Sequence, residues 1–460
     1  MWRIVSRASL VVVAAIALIS GVAFADDIPS GWKASNMKPI GYSNINGHGA
    51  FKLAIKHVGD KWYLYMAHLW ENGWTIMDVT DPTNPKVVKH WDMGDNTASG
   101  QVDFHDNLMV TALGGIPWGW DSEKPHQTGA AFWDISDPVN PKLLSKWGGP
   151  GYSTHRNGYP GGKYVYLAAN VPGYKGLILV ILDMSDPKNP KEVSRWWMKG
   201  QKDGEETSAP LLNEVAIPGG HGANPGNHGP AFIEGNRAYL GWTPALVILD
   251  ISDITHPKQV GRLDFSPPYS GIVVHDAMKI PGKPLVFVHA EALGGDTEPG
   301  SPYRRVDDLP SCGFSVPLVA MVDITDETHP RYISNFPLPQ PPKGEAYTDF
   351  CDKGGRFGPH NTNILQHLPD VEKQANLIYL TYFNAGLRIF NIEDPRNPQE
   401  VGWFIPPQPT KRIGPVPSKL TSSSEDVLVD TRGNIYTDDK QWGLFILRYT
   451  GKGEPAPTAK

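Results

Sequence analysis

One phrase recurs six times along the chain: "WTIMDVTDPTNPKVVKHW" from Trp74, "AAFWDISDPVNPKLLSKW" from Ala130, "LVILDMSDPKNPKEVSRW" from Leu179, "LVILDISDITHPKQVGRL" from Leu246, "VAMVDITDETHPRYISNF" from Val319 and "LRIFNIEDPRNPQEVGWF" from Leu387. Each copy is an apolar, β-branched run ending in Asp or Asn, a turn of the form D-P-x-N-P-K or a near variant, and a second short apolar run. Proline at two turn positions, with Asp and Asn side chains bonding back to their own backbone, favours a tight reversal, so each copy reads as a β-hairpin. A hairpin cannot bury an apolar face alone. Copies repeated at this scale bury it by stacking on one another, which restricts the chain to a repeat architecture.

The residues before the turns, Asp78, Asp134, Asp183, Asp250, Asp323 and Asn391, are spaced by 56, 49, 67, 73 and 68 positions. Upstream of each hairpin lie two more apolar segments, such as "FKLAIKHV" and "KWYLYMAH" either side of Gly59-Asp60, and no segment of ordinary length reads as an amphipathic helix. Four strands per unit make a propeller blade; a blade needs about 40 to 50 residues, so the surplus is loop. A seventh, degenerate unit, "EDVLVDTRGNIYTDDKQWGLFILRYT" from Glu425, stops after its third strand, and "NMKPIGYSN" from Asn36 reads as the missing fourth. The expected fold is all-β: a seven-bladed β-propeller of four-stranded blades over residues 26–450, closed by an N-terminal strand joining the last blade so that no edge is left open. Residues 451–460 read as a disordered tail.

The runs "LVILDMSD" from Leu179 and "LVILDISD" from Leu246 resemble the namesake phrase of the LVIVD-repeat family of bacterial extracytoplasmic β-propellers, and the likeness extends over nearly all of the chain beyond residue 25. That resemblance implies a propeller and a cell-envelope address. It implies no particular reaction.

Residues 1–25 carry Arg3 and Arg7, an apolar stretch, and Ala23-Phe24-Ala25 before the acidic start at Asp26, the order of a signal peptide cut after Ala25. An uncleaved anchor shares the charge order, but the small residues favour cleavage and hence a periplasmic or secreted protein. No later segment is apolar enough over sufficient length to span a bilayer. Loss of Arg3 and Arg7 takes the formal charge from −6 to −8, and with no basic cluster a nucleic-acid partner is not expected. The two cysteines, Cys312 and Cys351, fall in long loops of neighbouring blades on one face. An even count in an oxidising compartment favours a disulfide over two free thiols.

Length variation between blades concentrates on one face, in the second-to-third strand loops and blade-to-blade connections. Irregular loops on a rigid scaffold are where binding or chemistry is usually built, so a small-molecule substrate, or an envelope protein or glycan, is expected there. His221, Trp118 and Trp120 belong to these loops.

Counting blades from the hairpin at Trp74, His155 lies 11 residues before Tyr166, His228 before Tyr239, His275 before Val286, and Glu425 before Tyr436. His48 and His360 hold the equivalent place with longer first hairpins, so five of seven blades put histidine at the start of the innermost strand, at the channel mouth. Neutral nitrogens converging from a stiff scaffold suit a transition metal, with copper or iron expected and zinc a further option. The expected ligands are His48, His155, His228, His275 and His360, joined from the second-to-third strand loops by His68 and His289; Glu425 and Glu291 are the expected catalytic carboxylates. Seven-bladed propellers that hold metal on axial histidines, the carotenoid-cleaving oxygenases and the selenium-binding protein and methanethiol oxidase family, are similar in architecture only. His57, His90 and His367, on strands or hairpins away from the axis, receive no role.

A histidine at a repeat-equivalent place also fits a blade-to-blade strut. Three readings follow: a metal-dependent oxidoreductase or hydrolase, a non-catalytic binding propeller, and a structural scaffold. No G-x-S-x-G elbow, phosphate-binding glycine loop or H-E-x-x-H helix competes with them.

Overall fold

The computed structural model describes residues 26–451 apart from 95, 116–123, 207–225, 266–272, 292–317 and 414–419. The expected signal peptide and nearly all of the expected tail lie outside these, as do Cys312, His221, Trp118 and Trp120. Cys351 sits in the short helix Phe350–Lys353 and packs against the core.

Seven antiparallel sheets form the seven blades of an all-β propeller. Blade one spans 52–91, blade two 97–147, blade three 153–196, blade four 232–264 and blade five 273–335. Blade two has its innermost strand broken into Thr97–Ala98 and Val102–His105, both paired with Leu108–Gly115. In blade six, Lys33–Ser35 adds an outer strand to Gln399–Ile405, a pairing that its three residues gave no periodicity to reveal. Blade seven comprises Ser424–Val429, Ile435–Asp439 and Gly443–Tyr449, and Met37–Ser43 pairs antiparallel with the last of these, bringing the two ends of the chain into one sheet.

The recurring phrase owes its form to two contacts. Within each turn the leading Asp or Asn accepts from a backbone N–H two residues on, as Asp78 Oδ1 does from Thr80 and Asn391 Oδ1 from Glu393, at 2.9 and 2.7 Å; these are Asx turns. Between blades, a small residue of the fourth strand meets the next blade's turn. Ser145, Ser194 and Ser334 each donate at 2.6 Å to a turn carbonyl, of Pro187, Ile254 and Pro395 respectively. Gly261 takes that place in blade four, where a Cβ would lie 1.9 Å from the Glu327 carbonyl oxygen.

Apolar side chains of adjacent sheets interdigitate between the blades. The connection from His360 to Leu377 packs Ile364, Leu365 and Leu368 into this core beside the first-to-second strand turns of blades two to five, with His367 Nε2 3.0 Å from Asp103. The opposite end of the channel is where the histidines gather.

Candidate metal centre

The recurring histidine position is a β-bulge in three blades. Thr154 pairs with Ala169 and Arg156 with Ala168, leaving His155 as the extra residue. In blade five, Val274 opposes Ala290 and Ala277 opposes Val288, so His275 and Asp276 together face His289. In blade seven, Ser424 opposes Asp439 and Val427 opposes Thr437, so Glu425 and Asp426 face Asp438. A bulge interrupts the two-residue alternation of a strand and re-aims its side chains. His228 and His360 reach the same level at the end of irregular chain, donating their backbone N–H groups to Gly241 and Thr381 at 3.0 and 2.9 Å.

Four of the seven expected histidine ligands converge. Ring centroids step from His155 to His228 at 4.9 Å, on to His275 at 4.8 Å, and on to His360 at 5.4 Å. Ligand-capable atoms of His155, His228 and His275 lie within 4.8 Å of one another, as do those of His275, Glu291 and His360, so His275 is common to both triads. Metal–nitrogen bonds of about 2.0–2.1 Å keep donor atoms within about 4.2 Å on one ion.

Carboxylates fix the rings from behind. Asp276 Oδ1 accepts the Nδ1–H of His275 at 2.8 Å, while Oδ2 lies 3.1 Å from His289 Nε2. His360 Nδ1 lies 3.0 Å from Glu425, whose other oxygen is 3.1 Å from Lys440 Nζ. A hydrogen-bonded Nδ1 leaves Nε2 with its lone pair facing forward, the arrangement seen behind metal-ligating imidazoles. Buried Nε2 atoms of His155 and His275 have no hydrogen-bond partner. Such free lone pairs, close to one another and to Glu291, could hold a metal ion.

Glu291 completes the centre. Its Oε2 is 3.2 Å from His228 Nε2 and 3.9 Å from His275 Nε2, and its Oε1 is 3.9 Å from His360 Nε2 and pairs with Arg356. Burial drives every one of these imidazoles toward neutrality: His275 is pulled down to about 4, His228 to about 3, and His155 well below the ordinary imidazole range. Burial would raise the Glu291 carboxyl, but the imidazoles and the Arg356 guanidinium outweigh it and hold it well below the usual range. Neutral imidazoles beside an ionised carboxylate are the protonation states that metal ligation needs.

The other expected site residues are placed behind or away from these rings. Glu425 is fully buried behind His360, so it braces that ring and does not face the cavity. His289 forms a third group with His275 and Asp276, whose ligand-capable atoms also lie within 4.8 Å of one another, with its Nε2 3.1 Å from Asp276 Oδ2. His48 and His68 lie in a separate group with His90 and Glu71: His48 stacks on His90 at 4.1 Å and its Nδ1 is 2.8 Å from Glu71, while His68 Nε2 meets Thr75 Oγ1 at 2.8 Å and Thr75 meets His90 at 3.1 Å. Burial pulls His68 down to about 4, and the Glu71 hydrogen bond raises His48. His90, given no role from sequence, is part of this group because it lies across the hairpin from Thr75.

A cavity of about 310 Å³ opens beside the centre, lined by His155, His228, His360 and Glu291 together with Arg156 and Arg356. Both arginines and Asp276 went unnoticed in the sequence. Arg156 and Asp276 each follow a histidine, and strict alternation would have sent them to the opposite face of the strand. The bulges bring them round to the same side.

The LVIVD repeat matches the chain over residues 59–92, 161–196 and 230–264, the hairpin regions of blades one, three and four. No match was found among curated proteins. Among solved structures, the Myceliophteria thermophila Cps50 (Swd1) β-propeller domain is 10% identical with a TM-score of 0.49, covering 87% of this chain and 96% of its own. The Neurospora crassa Pan2 WD40 domain is 9% identical at 0.49, covering 93% and 98%. The Pseudomonas aeruginosa periplasmic gluconolactonase PpgL is 8% identical at 0.49, covering 83% and 93%. Likenesses this faint carry no weight for function. Three matched repeats set within a ring of seven sheets identify the chain as an LVIVD-repeat β-propeller protein.

Proposed function

We propose that this protein is a periplasmic or secreted propeller enzyme that holds a transition metal, copper or iron with zinc as a further option, on His155, His228, His275, His360 and Glu291, and oxidises or hydrolyses a small molecule in the adjoining cavity. The observation that carries the reading is the pair of buried, unpartnered Nε2 atoms on His155 and His275, the second aimed by Asp276. A bound metal supplies Lewis-acid or redox chemistry there. The chain's own contribution is to orient the rings through Asp276 and Glu425, to keep the imidazoles neutral by burial, and to hold the Glu291 carboxylate ionised at the cavity wall through Arg356. The address rests on residues 1–25 of the sequence; no helix among the described residues is long and apolar enough to cross a membrane.

Metal analysis of protein purified without chelator tests this reading. Stoichiometric transition metal is expected in the parent and its loss in a folded His155→Ala, His275→Ala double variant; metal at trace level in the parent, or unchanged in the variant, contradicts it. The Asp276–His289 and His360–Glu425 pairs also tie neighbouring segments together, which favours a scaffold as the second reading. That reading expects the double variant to lose stability with no metal to lose.

A further inference from the structure

The cavity beside the metal centre holds a cation that the proposed chemistry does not use. Arg156 is fully buried, and its Nη1 bonds the carbonyls of Gly100 and His155, each at 3.2 Å. Its guanidinium lies over the Phe51 ring, with Cζ 4.7 Å from the centroid. The remaining nitrogens, Nε and Nη2, are buried without a hydrogen-bond partner. These two form one edge of the guanidinium, the edge that meets a carboxylate through two parallel N–H···O bonds. A buried charged donor left unsatisfied costs more than an ordinary lost hydrogen bond, so a site of this kind is completed by an acceptor.

Charge bookkeeping points the same way. Among the described groups lining the cavity, the Glu291 carboxylate pairs with Arg356. Nearby, Asp426 is matched by Lys52 at 2.9 Å and Glu425 by Lys440 at 3.1 Å, while Asp276 is held between His275 and His289. Among the described residues no carboxylate is paired with Arg156, which lines the cavity. Walls of Phe51, Leu69, Trp70, Leu177 and Val273 surround it, and the volume of about 310 Å³ is at the small end of the ligand-pocket range.

We propose that this cavity selects a small organic carboxylate, gripped side-on by the Nε–Nη2 edge of Arg156 with its apolar body against Phe51 and Trp70. The inference rests on reading the cavity as the substrate site, and it names the substrate class. A carboxylate is preferred over an inorganic oxyanion because the apolar walls would strip water from such an ion and return nothing.

Calorimetric titration of the full chain with benzoate, benzamide and sulfate tests it, alongside Arg156→Lys and Arg156→Gln. Benzoate is expected to bind saturably and benzamide not; Arg156→Lys, which keeps the charge but loses the paired edge, and Arg156→Gln should each weaken benzoate binding, the latter by about tenfold or more. The same affinity in Arg156→Gln, sulfate binding as tight as benzoate, or no benzoate binding by the parent would each overturn the proposal. If Arg156→Gln does not fold, the Arg156→Lys variant and the benzoate–benzamide contrast on the parent decide. Metal content measured on the same samples separates the two readings: a metal-free parent that takes benzoate through Arg156 sinks the metal centre and upholds the carboxylate site.

Discussion

Asp276 holds the Nδ1–H of His275 at 2.8 Å, and the other nitrogen of that ring is left buried with nothing to bond. A strand bulge makes the relationship possible, because it places two consecutive residues on one side of blade five. Replacing Asp276 with Asn removes the charge that fixes the tautomer. Metal affinity, measured by competition with a chelator, should fall by about 10- to 100-fold. An unchanged affinity would mean that Asp276 only braces the strand.

His48 belongs to the group around Glu71 and His90, away from the converging rings. His48→Ala should therefore leave bound metal at the parent level. Metal lost in His48→Ala as completely as in the His155→Ala, His275→Ala variant would place the ion elsewhere.

Glu372 links protonation to stability. Burial raises its carboxyl from 4.5 to about 7, and Oε2 has no partner. Between those values the folded chain keeps a proton that the unfolded chain has released, so the stabilisation is full below pH 4.5 and is lost as pH rises through 7. Glu372→Gln should raise Tm at pH 8, by the equivalent of at most about 3 kcal/mol, and flatten the slope between pH 4.5 and 7. A residual slope is expected from Asp439, raised to about 7 by burial, and from Asp426, raised likewise. Thermal melts across pH check this; an unaltered slope refutes it.

Gly261 lets blade four approach the turn of blade five. A Cβ at Gly261 would lie 1.9 Å from the Glu327 carbonyl oxygen, whereas one at Gly149 would meet nothing within 4 Å. Gly261→Ala should destabilise by about 1–3 kcal/mol, and Gly149→Ala by much less. Equal melting temperatures for the two variants would remove the inter-blade account of the repeat.

The blades were legible because each prolyl turn carries its own Asx acceptor, and the same turn receives the neighbouring blade's Ser or Gly. Both constraints act on a few adjacent residues, so they leave a visible phrase. His155, His228 and His275 were legible for a related reason: each stands 11 residues before an equivalent second-strand position. His48 and His360 shared the general place without the spacing; the His360 ring joined the others, while the His48 ring went to a different group. Arg156, Asp276 and Arg356 were not legible. A bulge sets which way Arg156 and Asp276 face, and irregular chain carries Arg356; neither has a period that a sequence displays.

Crystals of protein purified without chelator, measured on both sides of the absorption edge of the metal found by elemental analysis, test the central proposal most directly. The account predicts one anomalous peak among His155, His228, His275, His360 and Glu291, with nitrogen ligands from Nε2. An anomalous map empty at that point, with the His155 and His275 rings turned to bond neighbouring backbone, would contradict it.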